Sequence, residues 1–307
     1  MKNAAEHSKI VKQIAFDNGF LYCGISKVQK LEQEALKLEN WLKSGYHGEM
    51  HYLDNHFDKR INPELLQPGA KTVVTLLMNY FPSKTQKKDT YQIAKYAYGE
   101  DYHVVFKDKI HQFFSQLKAQ LGNIEGRVFV DSAPVMERVW AEKSGVGWIG
   151  KNGLLINKTS GSFYFIGELI MDLECEPDGP IKDYCGNCTA CIDACPTEAI
   201  LPNKTLEANK CLSYLTIELK NEIPNEFNGK LNDWIFGCDI CQDVCPWNRF
   251  SKPHQESRYY PSEELLNLNK TEWENINEIT FNQLFQNSAI KRTKFSGLKR
   301  NINSNNF

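Results

Sequence analysis

The chain has 307 residues, 41% of them hydrophobic and 24% charged, with a formal net charge of −2 at pH 7. That length suits more than one domain with a sizeable core, and the composition is globular rather than disordered or fibrous. The near-neutral balance excludes a global basic field for holding nucleic acid and leaves room only for a local patch.

No run of about 18 apolar residues occurs, so no membrane-spanning helix is expected. The opening stretch, MKNAAEHSKIVKQIAFDNGF, lacks the apolar centre of a signal peptide. It reads as an amphipathic helix with Ile10, Val11, Ile14 and Ala15 on one face, ended at Asn18-Gly19. A cytoplasmic protein is the expectation. LEQEALKLENWLKSG reads as a second helix, with Leu31, Leu38 and Trp41 on a stripe and Gly45 as its stop. INPELLQPGAKTVVTLLMNYFP reads as a turn and a buried strand from Val73 to Met78. KIHQFFSQLKAQLG is a further amphipathic helix closed by Gly122. RVFVDSAPVMERVWAEKSG predicts a strand, a short loop and a helix with Pro134 in its first turn. GLLINKTSGSFYFIGELIM predicts a hairpin turning through Thr159-Ser160-Gly161-Ser162. The alternation of helices and strands predicts a mixed domain of the α+β or α/β class over residues 1–175.

Ten cysteines follow an uneven distribution: Cys23 and Cys175 stand alone, and eight lie between residues 185 and 245. In the expected compartment, clustered thiols are metal ligands rather than disulfides. Cys185, Cys188, Cys191 and Cys195-Pro196 form C-x2-C-x2-C-x3-C-P, the spacing of bacterial ferredoxins, in which the fourth cysteine serves the other 4Fe–4S cluster. Cys238, Cys241 and Cys245-Pro246 repeat the second half; Ile235 stands where a first ligand would fall, and Cys211 is the replacement. The expected ligand sets are Cys185, Cys188, Cys191 and Cys245 for one cluster, and Cys195, Cys211, Cys238 and Cys241 for the other. Structural zinc also uses C-x2-C pairs, but it requires neither the third cysteine nor the two prolines. A ferredoxin-type two-cluster domain is therefore expected over residues 176–250, followed by a C-terminal helical extension, 251–307, packing back on the core. Cys23 and Cys175 read as buried thiols.

Other motifs carry less. Gly145, Gly147 and Gly150 spell G-x-G-x-x-G, but the motif follows a helix and leads into a hairpin, the reverse of the dinucleotide context. Asp131 ends a strand, seven residues before Arg138. It suits a proton donor with a burial-raised pKa, or a carboxylate at a helix start; the residues alone favour the second. His47 and His51 could share a metal, but no third ligand is evident in the sequence. Asp54-Asn55-His56 and Asp101-Tyr102-His103 each begin a D-x-H without the glycine of the corrin motif D-x-H-x-x-G. Lys291, Arg292, Lys294, Lys299 and Arg300 form a basic run that suits either phosphate contact or a solvated tail.

Taken together, HYLDNHFDKRINPELLQPGAK, KYAYGEDYH, VDSAPVMERVWAEKSGVGWIGKNGLLI and the double cysteine set with Cys211 resemble the epoxyqueuosine reductases, relatives of the reductive dehalogenases. The resemblance covers about Tyr22 to Arg300. It implies cobalamin in the N-terminal domain, its dimethylbenzimidazole displaced from cobalt. It also implies reduction of the epoxide of epoxyqueuosine to queuosine at the wobble position of tRNA. Electrons would come from an external donor such as a flavodoxin or ferredoxin and pass through the two clusters to a monomeric enzyme. By the same resemblance Asp131 is the proton donor, and Arg60 contacts cofactor or substrate. Lys95 to Tyr98, Asn152, Leu155 and Ile166 line the corrin, and Ser213 lies between the second cluster and the cobalamin. Arg138, Lys291, Arg292 and Lys294 are the expected tRNA contacts, with Tyr96, Tyr98 and Tyr102 as candidate stacking partners for a splayed base. Many members continue into HEAT-like repeats, whereas this sequence stops at FSGLKRNINSNNF. A corrinoid dehalogenase of small organohalides, an iron–sulfur electron carrier and an iron–sulfur flavoprotein are the rival readings.

Overall fold

The computed structural model describes residues 3–306. In chain order its elements begin with α1 (Ala4–Asp17), β1 (Tyr22–Lys27), α2 (Glu32–Lys43), α3 (Phe57–Ile61), β2 (Thr72–Asn79) and β3 (Gln92–Ile93). There follow α4 (Tyr102–Leu121), β4 (Gly126–Phe129), α5 (Glu137–Lys143), β5 (Trp148–Ile149), β6 (Leu155–Ile156) and β7 (Tyr164–Met171). The cysteine-rich segment holds α6 (Ala190–Asp193), β8 (Trp234–Phe236) and α7 (Ile240–Asp243). The chain closes on α8 (Glu263–Asn267), α9 (Lys270–Glu274), α10 (Glu278–Leu284) and α11 (Lys294–Ser304).

The main sheet runs β1-β2-β7-β4. The apolar run TVVTLLMN becomes β2, a central strand buried at every position but the last. Both of its faces are covered, which is why it reads as continuous rather than alternating. On one face, Val11 and Ile14 of α1 and Phe106, Ile110 and Phe113 of α4 pack on Val74, Leu76 and Leu169. On the other, Trp140 of α5 with Leu31 and Ile61 packs on Val73, Phe129 and Ile170. Each such side chain, fully buried, contributes about 1.5–3 kcal/mol. Helix α4 starts at Asp101, whose side chain accepts from the His103 amide, and stops at Gly122, φ 91°.

The mixed α/β expectation holds, with one refinement: every pairing in the main sheet is antiparallel, which places it in the α+β class. The expected hairpin does not form. Its first run becomes β6, which pairs with β5, while its second becomes β7 between β2 and β4. The two runs meet only at an isolated bridge, Asn157 to Gly161. Pro134 lies in the loop ahead of α5, whose cap is Met136, rather than in its first turn. The glycine motif serves packing: a Cβ on Gly147 would sit 2.6 Å from the Ile156 carbonyl oxygen of β6.

A parallel pair, β3 with β8, ties the N-terminal part to the cysteine-rich segment. Over it lies an apolar cluster of Tyr91, Ile93, Tyr98, Ile235 and Phe236 with Leu265, Trp273, Phe285, Leu298 and Ile302. The C-terminal helices thus pack against both earlier segments. No helix is long and apolar enough to cross a membrane among the described residues.

Candidate active site

The eight clustered thiols fall into two groups. Cys191 faces Cys245, Cys185 and Cys188, and Cys245 faces Cys185 and Cys188. Cys238 faces Cys211 and Cys241, and Cys241 faces Cys211 and Cys195, with Cys191 of the first group also close to it. Two short helices with the same start, α6 after Thr189 and α7 after Asp239, present the repeated cysteines. Burial pushes the Cys238 and Cys241 thiols up, and their mutual repulsion adds to it, so cationic iron is the partner that suits four converging sulfurs. The first group lies near the surface: Cys188 is exposed, and the Trp148 indole donates to Cys185 Sγ at 3.4 Å. Lys151 donates to the Gly186 and Cys188 carbonyls at 2.9 and 2.8 Å.

The second group opens onto a cleft. Cys195, Cys211, Cys238 and Cys241 line one wall of about 1440 Å³ of free space, part of it open to solvent. The N-terminal part supplies much of the remaining lining: Tyr96, Tyr102, Leu155, Tyr164, Phe165 and Ile166, with Asp131, Glu137 and Arg138. Ser213 and Leu212 border the cleft just after Cys211, where a π-helical turn, Tyr214–Glu218, begins. Such turns often accompany functional sites because they re-aim neighbouring backbone.

Asp131 follows β4 with φ 54°, a left-handed conformation uncommon outside glycine. Its carboxylate is half-exposed and accepts two hydrogen bonds on Oδ2, from the Tyr102 hydroxyl at 2.5 Å and His103 Nε2 at 3.1 Å. The other ring nitrogen of His103 meets Asp101 Oδ1 at 2.7 Å. Burial pushes the Asp131 carboxyl up, but the bonds from His103 and Tyr102 outweigh it and hold it below its ordinary value. Burial pushes His103 down, yet its two carboxylate partners lift it from 6.5 to about 9. At neutral pH the proton therefore rests on His103 rather than on Asp131. The Asp131 amide donates to Glu137, whose carboxyl is pushed up to about 8 by burial and by the Asp131 charge.

Of the residues singled out in the sequence, Asp131, Arg138, Asn152, Leu155, Ile166 and Ser213 line the cleft. Tyr96 and Tyr102 line it too, whereas Tyr98 belongs to the cluster under the C-terminal helices. Lys95 is spent on Asp243, at 2.7 Å, and on Asp239, at 3.3 Å, and is absent from the lining. Arg60 stands outside the lining and donates to the Tyr52 carbonyl at 3.0 Å. Lys291, Arg292 and Lys294 are exposed on one side of the C-terminal turn, and Arg292 pairs with Glu218 at 2.8 Å. Arg300 is withdrawn from the patch because it donates to the Leu215, Leu219 and Asn221 carbonyls, and Lys299 donates to that of Glu274. Cys23 and Cys175 are buried. His47 and His51 do gain a third neighbour, with Asp54 Oδ2 at 3.7 and 3.9 Å; His51 and Asp54 are exposed, as for a solvated turn. Sequence reading missed His103 and Glu137, although His103 is the third residue of a quoted D-x-H.

Residues 184–248 match the 4Fe-4S double cluster binding domain, and residues 60–132 match the family described as epoxyqueuosine reductase QueG, DUF1730. The epoxyqueuosine reductase of Cellulophaga algicola is 55% identical over 98% of this chain and 99% of its own. A crystal structure of epoxyqueuosine reductase with a tRNA-Tyr epoxyqueuosine-modified stem loop superposes with a TM-score of 0.91 at 28% identity, covering 99% of this chain and 81% of that one. The Bacillus subtilis enzyme, captured with its aspartate catalytic loop swung out of the active site, gives 0.90 at 27%, covering 99% and 82%. A reductive dehalogenase with a suggested B12-dependent mechanism shares the fold alone, at 16% identity and a TM-score of 0.50, covering 98% and 38%. With a double 4Fe–4S domain opening onto an acid-lined cleft, and with close relatives along its whole length, the chain belongs to the epoxyqueuosine reductase family.

Proposed function

We propose that the chain reduces the epoxide of epoxyqueuosine to the alkene of queuosine in the anticodon loop of tRNA, with cobalamin bound in the cleft. The observation that carries this reading is that the second thiol group and Asp131 line the same cleft. One 4Fe–4S cluster on Cys185, Cys188, Cys191 and Cys245 would sit near the surface, within reach of a donor protein. The other, on Cys195, Cys211, Cys238 and Cys241, would face the cleft. Cobalamin fits the walls, whose flat aromatic and aliphatic side chains suit a macrocycle; Asn152, Leu155, Ile166 and Ser213 would hold it. Bound there, it would supply the electrons that break the carbon–oxygen bonds.

The reaction consumes two electrons and two protons per epoxide and releases one water. The chain's part is to orient the base, exclude water and move the protons. Asp131, ionised at rest, takes the proton of His103 and delivers it to the departing oxygen; the Tyr102 hydroxyl holds the carboxylate in place. Arg292, Lys291 and Lys294 lie where phosphates of a stem loop could be met, and Tyr96 and Tyr102 offer ring faces to an unstacked base.

The test is anaerobic incubation of iron-reconstituted, cobalamin-loaded protein and reductant with an epoxyqueuosine-containing stem loop, with products read by mass spectrometry. Loss of one oxygen from the modified base, dependent on cobalamin, is expected. Conversion without any corrin overturns the cofactor assignment, and no conversion overturns the substrate.

A further inference from the structure

Glu168 lies at the centre of the main sheet, fully buried, and both of its carboxyl oxygens lack a hydrogen-bond partner among the described residues. Its β7 position is paired with Thr75 of β2 and with Phe129 of β4. Directly opposed residues share a face, so Glu168 lies on the face covered by α5, with Thr75, Phe129 and Ile170. Thr75 Oγ1 is likewise buried and unpartnered. The groups facing Glu168 are Glu137 of α5 and Asp131 of the loop after β4, both acids. Glu137 in turn faces Asp131, Arg138 and His103, and its carboxyl accepts from the Asp131 amide.

A buried carboxylate with neither cation nor donor beside it is costly, so such a group stays neutral. Burial and the two neighbouring acids push Glu168 well above the ordinary range. Nothing in the packing requires an acid there; a glutamine would fill the same volume. The proton balance supplies a reason. Two protons are consumed, and His103 carries one.

We infer that Glu137 and Glu168 form an internal proton store that refills Asp131 during the reaction, delivering the second proton while the bound stem loop closes the cleft to water. The transfer balances. The proton of Glu137 passes to the Asp131 carboxylate and on to the oxygen that departs as water, Glu168 reprotonates Glu137, and solvent protons refill both once product leaves. Both residues act through Asp131: Glu168 is fully buried outside the cleft lining, whereas Glu137 borders the cleft beside Asp131. The inference rests on the proposed reaction, and the wild-type protein is the control that separates the two: absence of wild-type turnover refutes the reaction, not the store.

The experiment compares wild-type protein with Glu168→Gln and Glu168→Asp, all reconstituted with iron and cobalamin. Infrared spectra of each at pH 7 should show a neutral carboxylic-acid carbonyl band in the wild type that is lost in Glu168→Gln. Because the residue acts at one remove from the direct acid, kcat should fall by about tenfold in Glu168→Gln, with KM for the stem loop unchanged. Glu168→Asp, which keeps a proton, should recover part of the loss. A merely structural role would move iron content and KM together and leave no rescue by aspartate. Wild-type kcat in Glu168→Gln, or an ionised Glu168 in the infrared spectrum, overturns the inference. Should Glu168→Gln fail to fold, Glu137→Gln carries the same test at the other end of the store.

Discussion

The proton held on His103 makes a sharp prediction for Asp101→Asn. Asp101 lies outside the cleft lining, and asparagine caps a helix as well as aspartate, so α4 should keep its start. What changes is the charge 2.7 Å from His103 Nδ1. Against the downward push of burial, two carboxylates lift His103 from 6.5 to about 9, a net effect of roughly 3 kcal/mol. Asp131 is the farther partner, at 3.1 Å, and is 50% exposed, against 31% for Asp101. Solvent screens it more, so Asp101 contributes the larger part of the lift. Because the lift favours the charged imidazole, the active protonated form is complete at low pH and lost as pH rises through the folded pKa. The wild-type rate should therefore be flat toward neutrality and fall through about pH 9. In Asp101→Asn the fall should move to lower pH by at least about one unit, making the variant several-fold slower at about pH 8.5 and far less affected at about pH 6.5. The assay is kcat against pH on the modified stem loop. An alkaline limb at the same pH in both proteins, or none in the wild type, refutes the proton's place on His103.

Asp131→Asn should lower kcat by about 10²–10⁴-fold with iron and cobalamin content unchanged, measured by single-turnover kinetics and metal analysis. Wild-type turnover in that variant would remove Asp131 from the proton path. Cys211→Ser should drop the iron content of reconstituted protein from about eight to about four per chain, because one cluster needs four thiolates. Arg292→Ala should weaken stem-loop binding and make its dependence on log salt concentration shallower by about one unit, read by fluorescence anisotropy. Trp140→Ala, on the buried face of α5 with 1% exposure, should destabilise the fold by about 3–5 kcal/mol in denaturant unfolding.

The cysteine framework was legible because its ligands are local: three sit on one short loop, and the repeat at residues 238–246 announces itself by spacing. Cys211 required only the absence of a thiol at Ile235. The central strand was legible because a run buried on both faces stays almost wholly apolar, with Thr75 alone interrupting Val73 to Met78. The hairpin was misread for the same reason, since apolar runs flanking a Ser-Gly turn carry no label for which sheet they join. Tyr98 was misplaced because it follows the 3₁₀ turn Lys95–Ala97 and is buried in the C-terminal cluster, whereas Tyr96, within the turn, also reaches the cleft. The surroundings of Asp131 were hidden by distance along the chain. Tyr102 and His103 lie 29 and 28 residues before it and reach it only because α4 starts where β4 ends. Its pKa follows from those partners, so no spacing rule could give the direction. Glu168 reads in sequence as an interruption of an apolar strand, and only the register with Phe129 and Thr75 places it under α5.

In the proposed reaction, electrons leave the second thiol group for a corrin held in the cleft. Protein carrying eight irons, reduced stoichiometrically, freed of reductant and mixed with oxidised cobalamin, should reduce the cobalt as followed by visible absorption and electron paramagnetic resonance. Cys211→Ser should bind the corrin and leave it oxidised. Equal cobalt reduction by both proteins would contradict the path drawn here.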